Sequence, residues 1–224
     1  MYEVVSSYYD EFMRGDDSEW IEFALNNVRG LFSGVDMGCG SGKVTAALAK
    51  DHRVIGVDAS PRMLDMAEKR CRSVGSEVTL VMDDAENFCP PTSVNFVTAM
   101  CDVVNYMRFP EKFFSKAYEY IERGGKLVFD ISSEKKLKKI LGNNVYTDTV
   151  DSVTYIWENS LFKDYVRLDL TFFVPHGELY QKKTETQIQY IHSAKKLTES
   201  LEKIGFSVTS YDKGDRVYFV ATKD

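Results

Sequence analysis

The feature that most constrains this chain is V-D-M-G-C-G-S-G-K at residues 35–43, where an apolar run meets three glycines at alternate positions, Gly38, Gly40 and Gly42. Glycine reaches φ > 0 and carries no Cβ, so such a backbone can turn sharply and touch a ligand. Residues 31–37 before it read as a strand that includes Asp36, and residues 43–50 after it place Val44, Ala47 and Leu48 on one helical face. The unit is strand, glycine turn, helix. It then repeats: Arg53–Asp58 is a second strand, and Ser60-Pro61 supplies an N-cap with proline at the first helical position, ahead of a helix carrying Met63, Ala67 and Cys71. Residues 78–82 and 94–100 read as further strands. Pro110 opens a helix expected to stop at Gly124-Gly125, and residues 127–131 form another buried strand. Alternation at this pitch predicts an α/β fold, a doubly wound, Rossmann-like and mainly parallel sheet covered on both faces.

Three segments break the rhythm. Residues 1–30 have helical spacing and read as a cap on the domain. Residues 145–190 alternate apolar and polar side chains, as antiparallel strands with one wet face do. After a helix at residues 193–204, two strands joined by Asp212-Lys213-Gly214-Asp215 form a C-terminal hairpin. The basic run Lys135, Lys136, Lys138 and Lys139 alternates with Leu137, Ile140 and Leu141, the spacing of a solvated helix face. A single domain over residues 1–224 is expected.

Charge narrows the partners: 28 Lys and Arg against 34 Asp and Glu give a net charge of −6, a field that repels phosphate backbones and disfavours nucleic acid. Cys39, Cys71, Cys89 and Cys101 form no Cys-x-x-Cys pair and follow no secretory signal, which fits a reducing cytoplasm and argues against disulfides. The three histidines are scattered, so no metal is expected. No apolar run approaches the roughly 20 residues that cross a bilayer. Monomer and homodimer are both open.

Three cofactor readings of the glycine loop separate on spacing. A phosphate-binding Walker loop needs Ser or Thr after Gly-Lys, but Val44 follows Lys43. A G-x-G-x-x-G dinucleotide fingerprint fails as well, because Lys43 and Thr45 stand where the third glycine belongs. What remains, D-x-G-x-G-x-G from Asp36, resembles the first motif of class I S-adenosylmethionine-dependent methyltransferases. Asp58 ends the second strand, where a carboxylate can accept hydrogen bonds from both ribose hydroxyls.

The resemblance continues along the chain. It implies that S-adenosyl-L-methionine is the cofactor, cradled by Asp36, Gly38, Cys39, Gly40 and Gly42. Ala59 and Met63 would line its adenine side, and Asp84 and Ala85 would hold the adenine amine and ring nitrogen. Residues 96–106 resemble the fourth motif, which would put Cys101 and Asp102 nearest the methyl group. Gly124-Gly125-Lys126 matches the turn before the family's fifth strand, and the fold implied is a seven-stranded sheet with an antiparallel C-terminal hairpin and an inserted β-sheet lid. Over its whole length the chain is similar to small-molecule methyltransferases of the YqeM-like group, whose N-terminal Tyr-Asp is matched by Tyr9-Asp10. That group's Glu-x-His on the last insertion strand appears here as Glu185-x-Gln187, so no imidazole base is carried over.

Nucleic acid and membrane aside, the acceptor expected is a small molecule, methylated on nitrogen or oxygen. Asp102, Tyr9 and Glu185 are the candidate acid–base groups. Asp102 is equally readable as a loop cap, Cys101 as packing, and Tyr155, Trp157 and Phe173 as roof packing. Two other functions share the pattern: a nicotinamide-dependent oxidoreductase on a related fold, and a non-catalytic adenosylmethionine-binding protein.

Overall fold

The computed structural model describes residues 18–75 and 78–224. Helix α1 (Ser18–Val28) leads into strand β1 (Ser33–Met37), helix α2 (Lys43–Leu48), β2 (Arg53–Asp58), α3 (Pro61–Ser73), β3 (Thr79–Met82) and β4 (Val94–Ala99). A 3₁₀ turn (Val103–Tyr106) follows, then α4 (Glu111–Tyr120) and β5 (Ile121–Ser132). The second half holds β6 (Val145–Val150), β7 (Val153–Leu161), β8 (Tyr165–His176), β9 (Leu179–Tyr190), α5 (Ala194–Ile204), β10 (Phe206–Asp212) and β11 (Arg216–Lys223).

Seven strands form one sheet in the order β10-β11-β5-β4-β1-β2-β3, and four form another in the order β6-β7-β8-β9. The first is parallel from β5 to β3 and antiparallel at β11 and β10, the doubly wound arrangement expected from the sequence. The central strands are buried on both faces, and in β1 Val35 and Met37 are fully covered. On one side, Phe113, Phe114, Ala117, Leu197 and Leu201 from α4 and α5 pack on Val97, Phe129 and Phe219. On the other, Ala24 and Val28 of α1 join Leu48, Phe96 and Val128.

Helix α3 begins as its sequence requires: Ser60 accepts from the Met63 amide (3.4 Å) and Pro61 occupies the first turn, where it withholds no needed donor. Helix α4 stops earlier than expected, at Tyr120 rather than Gly124-Gly125. Pairing of Ile121 with Val94, followed by a register shift, draws residues 121–126 into β5 before the glycines are reached. The lysine-rich run is one turn of π-helix at Lys136–Leu141, with Leu137 and Leu141 buried under Val166 and Leu168 of β8.

In the second sheet, Tyr155, Trp157 and Asn159 share a face with Leu168, Leu170, Phe172, Glu185 and Gln187. Phe173, paired with Thr154, lies on the opposite face, so it is not a roof residue. The expected cap at residues 1–30 is described only from Ser18 onward, and Tyr9 and Asp10 lie outside the described residues. No described helix is long and apolar enough to cross a membrane.

Candidate active site

A parallel sheet gathers its loops at the carboxyl ends of its strands, and a crevice opens where the connections turn to opposite sides. Here that crevice, between the ends of β1 and β4, is a cavity of about 380 Å³, within the roughly 300–1,000 Å³ usual for small-molecule sites. Asp36, Gly38, Cys39, Gly40, Asp58, Ala59, Met63, Asp84, Ala85 and Cys101 all line it. Of the other sequence candidates, Gly42 and Asp102 stand behind its wall and Glu185 is on β9.

The glycine spacing has a separate cause at each position. A Cβ on Gly42 would lie 2.8 Å from the Ala67 Cα of α3, and its φ of +80° is one that L residues resist. Gly40 has φ +53° and open space where a Cβ would point, so its backbone can approach a ligand directly. Asp58 fastens this loop. One carboxylate oxygen accepts from the Gly40 amide (2.9 Å) and the other from the Ser60 amide (2.8 Å), binding the loop and the start of α3 to the end of β2. Burial raises the Asp58 carboxyl above its ordinary value.

Asp36 lies deeper, 2% exposed, where it accepts from Thr45 (2.5 Å) and Thr98 (2.7 Å). Burial lifts its carboxyl to about 6. Asp84 orders the turn after β3 by accepting from the Glu86 amide (2.8 Å), beside Ala85.

At the other end, just past β4, stand Cys101 and Asp102, two consecutive non-glycine residues with φ of +66° and +67°. Asp102 does not stand as an available base. Arg216 donates to both of its oxygens (2.7 and 3.2 Å), Ser132 donates a third bond (2.8 Å), and the carboxylate is absent from the cavity lining. Burial alone would raise its carboxyl, but the charges of Arg216 and Lys136 and the hydrogen bonds from Arg216 and Ser132 together outweigh this and hold it below the ordinary value.

Several cavity residues were not among the sequence candidates, although Met100 and Tyr106 fall within residues 96–106, the stretch that resembles the fourth motif. Trp20, Met100, Tyr106 and Met107 line the cavity, Trp20 from α1 and Tyr106 from the 3₁₀ turn. Tyr106 donates to Gln187 (3.1 Å) and accepts from Gln189 (3.2 Å), and Gln187 donates to Glu185 (2.8 Å). The period-two pattern of β9 puts Glu185, Gln187 and Gln189 on one face, but only the folded chain brings Tyr106 to them.

These features fit an adenosyl sulfonium. The Gly40 cradle has space that a side chain would fill, Asp58 can accept from a vicinal diol, and the indole N–H of Trp20 is buried in a wall of the cavity without a partner among the described residues.

Comparison with known proteins agrees. A family model described as a methyltransferase domain matches residues 35–125, the segment from the glycine loop to the start of β5. The chain is 27% identical over 218 residues to YqeM of Bacillus subtilis (strain 168), which carries a methyltransferase name, covering 93% of this chain and 87% of that protein. A solved S-adenosylmethionine-dependent methyltransferase from Clostridium acetobutylicum superposes with a TM-score of 0.87 at 26% identity, covering 99% of this chain and 98% of that one. The sugar N-methyltransferase KedS8 from Streptoalloteichus sp. shares the fold at a TM-score of 0.80 and 20% identity, covering 96% of this chain and 92% of its own. Strand order, glycine loop and these matches together support a class I S-adenosylmethionine-dependent methyltransferase.

Proposed function

We propose that this enzyme methylates a nitrogen or oxygen of a small molecule, with donor and acceptor meeting at the end of β4. The observation that carries the reading is the single cavity running from Asp58 and Asp84 to Cys101 and Tyr106. In it, Asp58 would hold the ribose, Ala59, Met63, Asp84 and Ala85 the adenine, and the Gly38–Gly42 loop the methionine part. S-adenosylmethionine supplies a methyl group on positive sulfur, whose leaving group is neutral.

The protein's share is orientation, worth as much as roughly 7–11 kcal/mol where reactants are well aligned. With Asp102 committed to Arg216, Glu185 and Tyr9 are the remaining acid–base candidates of the three. Gln187 and Gln189 have no proton-accepting nitrogen to offer at neutral pH.

A specific observation favours nitrogen over oxygen. Through Gln187, Glu185 is linked by hydrogen bonds to Tyr106, which lines the cavity. A carboxylate there favours positive charge in the group that approaches it. An amine that arrives protonated can give its proton to Glu185, and the lone pair so freed attacks without the strong base that a hydroxyl needs. The fold shared with an enzyme named for sugar N-methylation supports the same choice.

The test is incubation with isotopically labelled S-adenosylmethionine and a library of matched amines, alcohols and carboxylic acids, read by mass spectrometry. Label on amines is expected. Label on alcohols alone would overturn the nitrogen assignment, and tight cofactor binding with no labelled product would favour the non-catalytic alternative.

A further inference from the structure

One buried cluster takes no part in the donor contacts described above. Arg216, the first residue of β11, lies opposite Ser132 of β5 and reaches the ends of two neighbouring strands at once. Its guanidinium grips Asp102 with both terminal nitrogens and also pairs with Asp130, which is fully buried. Asp130 in turn accepts from the Cys101 amide (2.6 Å). One cation therefore holds, through two carboxylates, both residues of the left-handed step at the end of β4. Its flat face also lies against Trp20, with the guanidinium carbon 4.5 Å from the ring centroid.

Cys101 and Trp20 are both walls of the cavity, whereas Arg216 is not. Strand order adds direction to this. Between β4 and β3 stand β1 and β2, so Cys101 and Asp84 occupy opposite ends of the cleft, and Asp58 lies on the Asp84 side. A change at Arg216 thus acts on one end of the donor site and spares the other.

We propose that Arg216 is a positioning residue for the methionine end of the donor, acting by holding Cys101 and Trp20 in place. This rests on the reading of the cavity as the S-adenosylmethionine site. The conservative replacement is informative because lysine keeps the charge but has neither the two-pronged fork nor the planar face of arginine.

The experiment compares binding of S-adenosylmethionine and of adenosine by calorimetry to wild type and R216K, with circular dichroism and melting to verify folding. Adenosine needs only the Asp58 and Asp84 end. The expected result is a Kd for S-adenosylmethionine raised about tenfold or more in R216K, with the adenosine Kd changed less than about twofold. Equal weakening of both ligands would mark Arg216 as general scaffold, and no weakening of either would remove it from the site; each outcome overturns the proposal. Wild type that binds neither ligand would sink the donor-site reading itself. Should R216K fail to fold, the pair R216Q/D130N keeps the net charge of the cluster while losing the fork, and the same selective loss is expected. Failure of both to fold would also count against a positioning role.

Discussion

Replacing Asp58 with alanine separates two jobs that one carboxylate performs. In the folded chain its oxygens accept from the Gly40 and Ser60 amides at 2.9 and 2.8 Å. Hydrogen bonds to a charged group contribute about 1.5–3 kcal/mol each, and because Asp58 is half-buried and water can reach the abandoned amides, the lower end applies. The expected loss of stability is about 2–3 kcal/mol, or a melting midpoint lower by roughly 4–12 °C for a chain of this size. The ligand loses two charge-assisted bonds from its ribose hydroxyls as well, again about 3 kcal/mol, so the Kd for S-adenosylmethionine should rise on the order of a hundredfold. Asp58→Asn should fall between, since an amide keeps one acceptor but turns a donor toward a donor. Calorimetry and thermal melts on the three proteins measure both quantities. An Asp58→Ala protein that binds within about threefold of wild type would refute the reasoning, because no other carboxylate among the described residues spans the loop and α3 in the same way.

Asp36 gives a pH prediction. Its folded value of about 6 lies above its ordinary 3.8, so the folded protein binds that proton more tightly than the unfolded chain does. Its contribution to stability is present below about pH 4 and is lost as the pH rises through 6. Urea titrations should show Asp36→Asn removing about 3 kcal/mol of pH dependence over that window relative to wild type, and parallel curves would contradict the assignment. Gly42→Ala adds a Cβ 2.8 Å from Ala67 at φ +80°, and should cost about 2–4 kcal/mol by urea unfolding, combining the left-handed penalty with overpacking. Asp102→Asn leaves Arg216 with one buried carboxylate in place of two; denaturant unfolding should register a loss of up to about 3–5 kcal/mol. A turnover defect with unchanged stability would return Asp102 to the list of bases.

Much of the donor side was legible in the sequence because it is made of local signals. The glycine spacing, the acid closing β2 and the Ser60-Pro61 helix start each state a backbone requirement within a few residues, and Gly38, Gly40, Asp58 and Ser60 from them line one cavity. The acceptor side was not, and Asp102 shows why. In sequence it is an acid beside a strand end and reads equally as a base or a cap; its role depends on Arg216, which arrives on β11 from the far end of the chain. The end of α4 followed the same logic, since pairing with β4 outweighed the glycines as a stop signal.

What the sequence by itself determined, then, is the order of strands and helices along the chain and the class of fold, written in periodicity, capping and turn chemistry over short spans, while the identity of the donor came from the resemblance of those motifs to a known family. Only the tertiary structure decided which charges are spent on one another and which polar groups face the cavity. Arg216 against Asp102 and Asp130, Trp20 on Arg216, and Tyr106 between Gln187 and Gln189 are contacts across 80 or more residues of chain. Their partners are chosen by strand pairing and burial, and neither is encoded within the reach of a local pattern.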